Sequence, residues 1–172
     1  MSPSPLDPLR DLFGTQLEDL TGGVVSGELP LMAEVVNRLI ARKLATANAP
    51  VTAAVVEPLD ADAFSVHLHL RGPLSQLVID AHIDQQPRLP DDPTIGVRWT
   101  VRGLGPLAMF AAPLIAKSKS LPPGLRLERD HLWVDVHELL RTQGLEDVVP
   151  WLTGVRVLTR ERRFVIQFEL RR

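Results

Sequence analysis

One stretch constrains this chain more than any other. From Pro30 to Ala47 it reads P-L-M-A-E-V-V-N-R-L-I-A-R-K-L-A-T-A. Leu31, Met32, Val35, Val36, Leu39, Ile40, Lys43 and Leu44 recur at the spacings that fill one side of a 3.6-residue helix. Glu34, Asn37, Arg38 and Arg42 fall on the other side. Pro30 suits a first helical turn, where a missing N–H has no partner to lose, and Asn48 and Pro50 stand where a stop is expected. The spacing predicts a helix of about 25 Å. Such a helix needs a broad apolar surface to lie on, so the rest of the chain has to supply one.

Beyond Pro50 the period changes from 3.6 to 2. Val51 to Glu57 reads as a strand, and Ala63 to Arg71 alternates strictly. Phe64, Val66, Leu68 and Leu70 point one way, and Ser65, His67, His69 and Arg71 the other. Gly72-Pro73 marks a turn. Leu77, Ile79, Ala81 and Ile83 resume the apolar face, and Ile95, Val97, Trp99 and Val101 carry it on after a longer loop. This is the pattern of an antiparallel meander with one dry and one wet face. Two short strands, Leu125–Glu128 and His131–Val136, come next. Helical turns are expected after them at Glu138–Arg141 and Leu145–Leu152. A hairpin closes the chain, with Val155, Val157 and Thr159 on one arm and Phe164, Ile166 and Phe168 on the other. The expected fold class is α+β: a long amphipathic helix packed in a curved antiparallel sheet, with a second apolar helix and the C-terminal hairpin. Residues 1–23 are expected to form a lead with a short amphipathic helix over Leu6–Leu20, and residues 24–172 a single domain.

The second helix is expected over Leu104–Ala116, which is apolar around nearly its whole circumference and then meets Lys117 and Lys119. A helix apolar all round is usually buried.

Composition excludes several classes. No cysteine is present among the 172 residues, so disulfides and thiolate chemistry are ruled out. A net charge of −2 argues against nucleic acid as main partner, although residues 87–172 carry 14 Lys/Arg against 10 Asp/Glu. M-S-P-S-P-L-D-P lacks the features of a signal peptide, and no apolar run is long enough to span a bilayer, so a cytoplasmic location is expected. No phosphate-binding Gly-rich loop, nucleophile elbow or H-E-x-x-H occurs. The chain is therefore read as non-enzymatic and without cofactor.

One polar constellation invites a metal. If Leu68 faces Ile79 and Leu70 faces Leu77, then His67 stands opposite Asp80 and Ser65 opposite His82. In that register His67, His69, Asp80 and His82 approach one another as ligands of a zinc-like ion. The simpler reading is a solvated face on which Arg98 and Arg102 pair with Asp80 and Asp84. His131 and His137, near Asp130 and Asp135, form a second, weaker group.

The amount of apolar surface is the stronger signal. A sheet curved around a helix encloses either a packed core or an elongated cavity. Val35, Leu39, Phe64, Val66, Leu68, Val97, Trp99, Met109, Phe110 and Leu114 are the expected lining of such a cavity. Lys117 and Lys119 are then contacts to anionic headgroups at a membrane surface. The alternative is an interaction or self-association module with a fully packed interior.

The segments E-L-P-L-M-A-E-V-V-N-R-L-I and L-P-P-G-L-R-L-E-R-D-H-L-W-V-D-V, with the strands between them, resemble single-module members of the tubular lipid-binding (TULIP, BPI-like) superfamily. The resemblance is one of layout and spans roughly residues 24–170. It implies a long helix wrapped in a curved sheet, with lipid held in the groove. The superfamily has no sharp motif, so no residue role is carried over.

Overall fold

The structure, a computed structural model, describes residues 23–46, 51–71, 76–102 and 123–171. The stretch expected to be one long helix is divided. Strand β1 (Val24–Met32) runs through Pro30, and helix α1 (Ala33–Thr46) begins only after it. The reason lies upstream. An alternation that starts at Val25 continues through Gly27, Leu29 and Leu31 as the more buried positions, and Leu31 and Met32 belong to that period of two. Pro30 is accommodated because β1 lies at a sheet edge, where a missing N–H need not break a ladder.

The remaining strands fall close to where alternation places them: β2 (Val51–Pro58), β3 (Ala63–Leu70), β4 (Gln76–Gln85), β5 (Thr94–Arg102), β6 (Leu125–Glu128), β7 (His131–Asp135), β8 (Leu152–Arg160) and β9 (Arg163–Arg171). They form two antiparallel sheets. The larger has the order β2-β3-β4-β5-β7-β6 and is strongly curled into a half-barrel. Register shifts at Val51/Ala53 and Ile83/Gln85 interrupt its ladders, and such bulges bend a strand and raise its twist. The smaller sheet, β1-β9-β8, is the C-terminal hairpin with β1 added to its β9 side. Helix α2 (Val136–Thr142) is capped by Asp135, whose carboxylate accepts the Glu138 N–H at 2.9 Å, and a 3₁₀ turn spans Glu146–Trp151.

The curled sheet does not wrap around α1. The helix contacts β2 and β1, beside the rim of the half-barrel. Its half-buried positions are Ala33, Val35, Val36, Asn37, Ile40 and Leu44, while Leu39 is 40% exposed. Asn37, expected on the wet side, therefore faces the protein. Its amide matches a peptide group there. Its Nδ2 donates to the Val56 carbonyl at 3.0 Å and its Oδ1 accepts the Val56 N–H at 2.6 Å, closing one residue of the edge strand β2.

The small sheet is held in the same manner. Gln86 donates to the Val157 carbonyl at 2.7 Å and accepts its N–H at 3.0 Å. Two residues along β8, Asp62 accepts the Thr159 N–H, and at the turn beyond it Asp60 accepts the N–H of Glu161, both at 3.1 Å. The β2–β3 turn and the segment after β4 thus fasten the outer side of β8. Beneath this seam Ala81, Ile83, Ile95 and Val97 pack against Val136, Leu145, Val148, Leu152 and Leu170, forming the main core.

These placements set a contrast. Gln86→Leu leaves the Val157 N–H and carbonyl without their partner and is expected to cost about 1–3 kcal/mol. Leu39→Asp falls on an exposed helical position and is expected to cost under about 1 kcal/mol. Urea denaturation of both variants, monitored by circular dichroism, checks the order.

Candidate functional site

Cross-strand register decides which polar side chains meet on the outer face of the half-barrel. Leu68 pairs with Leu77 and Val66 with Ile79, so His67 stands opposite Val78 and Asp80 opposite Ser65. The expected register is out by two residues. A two-residue slide keeps every side chain on its own face, so hydrophobic alternation is blind to it. As a result His67, His69, Asp80 and His82 do not converge. His67 lies 3.3 Å from Ser65 Oγ and 4.0 Å from Glu57, and His69 and His82 are exposed. Asp80 is taken by Arg102, whose Nε and Nη2 donate at 2.9 and 2.6 Å, and this pair raises the guanidinium pKa of Arg102 further. Among the described residues no group of three or more His, Asp or Glu is arranged to hold a metal ion. The expected pairing of Arg98 and Arg102 with Asp84 and Asp80 is present, the first at 3.2 Å.

A denser polar group lies further along the same face. His131 opens β7, opposite Arg98 on β5 and Glu128 on β6. Its Nε2 is 3.2 Å from Asp84 Oδ2 on β4, and its Nδ1 is 3.0 Å from Asp130 Oδ1 in the preceding turn. Arg98 Nε lies 3.4 Å from the same Nε2. The imidazole stacks on the Trp133 indole, with centroids 5.4 Å apart and planes 12° from parallel. Gly96 makes this stack fit. A Cβ there would come within 2.9 Å of Trp133 Cζ3 and of the Gln85 Cβ, and 3.1 Å from Asp84 Oδ1. Hydrogen bonding to His131 holds the Asp130 carboxyl below its ordinary range. An open depression of about 450 Å³ lies over this turn. His137, the expected companion of His131, sits instead on α2, and its Nε2 is buried without a partner.

The inner face of the half-barrel is apolar throughout. Register aligns Pro58, Phe64, Ala81 and Trp99 in one row across four strands, and Val56, Val66, Ile79 and Val101 in the next. Two clusters result. The first is the main core, which includes Val97 and takes in Phe64 at its margin. The second centres on Leu77 and Ile79, with Val66, Leu68, Leu70, Trp99 and Val101 around them. Trp99 touches both, and its Nε1 is buried without an acceptor. Of the expected lining residues, Phe64, Val66, Leu68, Val97 and Trp99 therefore share this face. Val35 and Leu39 stand on α1 and belong to neither cluster. Met109, Phe110, Leu114, Lys117 and Lys119, together with the helices expected at Leu6–Leu20 and Leu104–Ala116, lie outside the described residues.

The His131–Trp133 stack is not anticipated by the sequence reading. Its one visible signal is Gly96, an isolated glycine inside I-G-V-R-W, where glycine in a strand marks a close approach of neighbouring groups. No protein family, curated protein or solved structure matches the chain. No helix among the described residues is long and apolar enough to cross a membrane.

Gly96→Ala is expected to push Trp133 off its seat, lowering stability by about 1–3 kcal/mol and changing the near-UV dichroism of the indole. Asp130 supplies a pH test. A carboxyl held low when folded contributes stability above its unfolded pKa and loses it as pH falls through the folded value. His131→Gln removes the largest of its causes, and a carboxyl-detected NMR titration is expected to show the Asp130 midpoint moving up.

Proposed function

We propose that this chain binds an apolar small molecule of the lipid class against the inner face of the half-barrel and catalyses no reaction. The observation that carries the reading is the second apolar cluster. Leu77, Ile79, Val66, Leu68, Leu70, Trp99 and Val101 all come from β3, β4 and β5, and no described element of the second layer joins them. Contact with such a face is driven by apolar burial at about 25 cal/mol per Å². Leu77 and Ile79 are buried at its centre, so a ligand would lie against the half-buried Val66, Leu68, Leu70, Trp99 and Val101 around them. The outer face argues in the same direction, because its charged groups are engaged with one another in cross-strand pairs such as Asp80–Arg102 and Asp84–Arg98.

The likeness to tubular lipid-binding proteins supports this reading as far as the curled sheet goes. The long central helix of that layout has no counterpart among the described residues, since α1 has 14 residues and lies at the rim. A second reading, self-association, draws on the exposed Met32 and Leu39 at and beyond the β1–α1 junction.

Native mass spectrometry of freshly purified protein, with organic extraction and lipid analysis, separates the two. A co-purifying acyl-chain compound near one per chain is the expected result, reduced by Leu68→Ala without loss of the dichroism spectrum. A ligand-free dimer would overturn binding in favour of self-association.

A further inference from the structure

We propose that His131 is a proton-operated latch between the β6–β7 hairpin and strand β4, closed when the imidazole is protonated and open when it is neutral. Both ring nitrogens face carboxylates that belong to different parts of the sheet, Asp84 at the far end of β4 and Asp130 in the turn that leads into β7. A neutral imidazole has a single N–H and can satisfy one of them; the imidazolium has two and satisfies both. A neutral ring with its proton on Nδ1 therefore holds Asp130 alone, whereas the imidazolium keeps Asp130 and also spans from the hairpin across β5 to Asp84 on β4.

Arg98 explains what happens in the neutral state. Its Nε lies within reach of both Asp84 Oδ2, at 3.2 Å, and His131 Nε2, at 3.4 Å. With the proton on Nδ1, the ring donates to Asp130 while Nε2 accepts from Arg98. Nε2 and Asp84 Oδ2 are then two acceptors 3.2 Å apart, and nothing draws the hairpin to β4. Protonation turns Nε2 into a donor. Arg98 Nε–H is released from the ring and goes wholly to Asp84.

The ring is faced by charged and titratable groups on several elements. On β4 these are Asp84 and, on the register row of Arg98, His82; β5 contributes Arg98 itself. The turn contributes Arg129 and Asp130, and β6 contributes Glu128, which Arg126 engages at 3.0 Å. Trp133 closes the remaining side as a flat apolar wall, fixed by its contact with Gly96. The groups in direct contact with the ring nitrogens are two carboxylates, Asp84 and Asp130, and one guanidinium, Arg98. Asp130, held low by its bond to His131, remains a carboxylate as the solution is acidified. The latch thus closes on acidification and affects the hairpin that forms one edge of the half-barrel.

Amide hydrogen exchange on the full chain, corrected for intrinsic rates, tests this. Protection of the Leu125–Val134 amides is expected to be roughly five-fold greater at about pH 5.5 than at about pH 7.5, while β9 amides show no such ratio. His131→Gln and Asp84→Asn should each bring the ratio to about one. If His131→Gln does not fold, Asp84→Asn decides alone. Long-range ¹H–¹⁵N spectra should place the proton of the neutral ring on Nδ1. A wild-type ratio near one, an equal response in β9, a ratio that survives Asp84→Asn, or a neutral ring protonated on Nε2 would each overturn the proposal.

Discussion

The structure depends on how its sheet edges are closed. Every peptide on an outer strand carries a donor and an acceptor that must find water or a partner, and an unsatisfied buried one costs about 1–3 kcal/mol. Two edges here are served by side chains that imitate a peptide. Asn37 matches donor and acceptor to Val56, and Gln86 does the same to Val157. Asp60 and Asp62 complete the second edge. These bonds fix where α1 lies and how the small sheet meets the curled one. The apolar core beneath, from Ile83 to Leu170, is then free of any need to be directional.

The two faces of the half-barrel divide the work between chemistry and contact. The outer face is a lattice of paired charges with one aromatic platform, Trp133, on which His131 rests. The inner face has no such order, and its two clusters differ in what covers them. One packs under α2, the 3₁₀ turn and the small sheet; among the described residues the other is made by β3, β4 and β5 alone. Trp99 stands at their border.

Alternation along the chain makes most of the strands legible, because a half-buried sheet leaves a period of two at every strand. The long helix is misplaced where two periods overlap. Leu31 and Met32 satisfy helical spacing with Val35 and Val36, and also continue the alternation from Val25. Tertiary pairing with β9 resolves the tie, and no local rule does. The register of β3 against β4 is invisible for a related reason, since a slide of two preserves both faces. Asn37 reads as a solvent residue because polarity alone cannot distinguish a wet side chain from one that binds an edge. The charge pairs of Arg98 and Arg102 are legible because opposite charges on neighbouring strands attract over several alternative registers.

The carboxamides of Asn37 and Gln86 have a chemical lifetime. Hydrolysis of either side chain replaces a donor with an oxygen and leaves two acceptors facing a residue that offers one N–H and one carbonyl. At Asn37 the new carboxylate would stand against the Val56 carbonyl in place of the 3.0 Å hydrogen bond. A mass change of about one dalton would then reopen an edge strand to pairing with other chains. Deamidation at either position would therefore open a sheet edge while leaving the apolar core as it is.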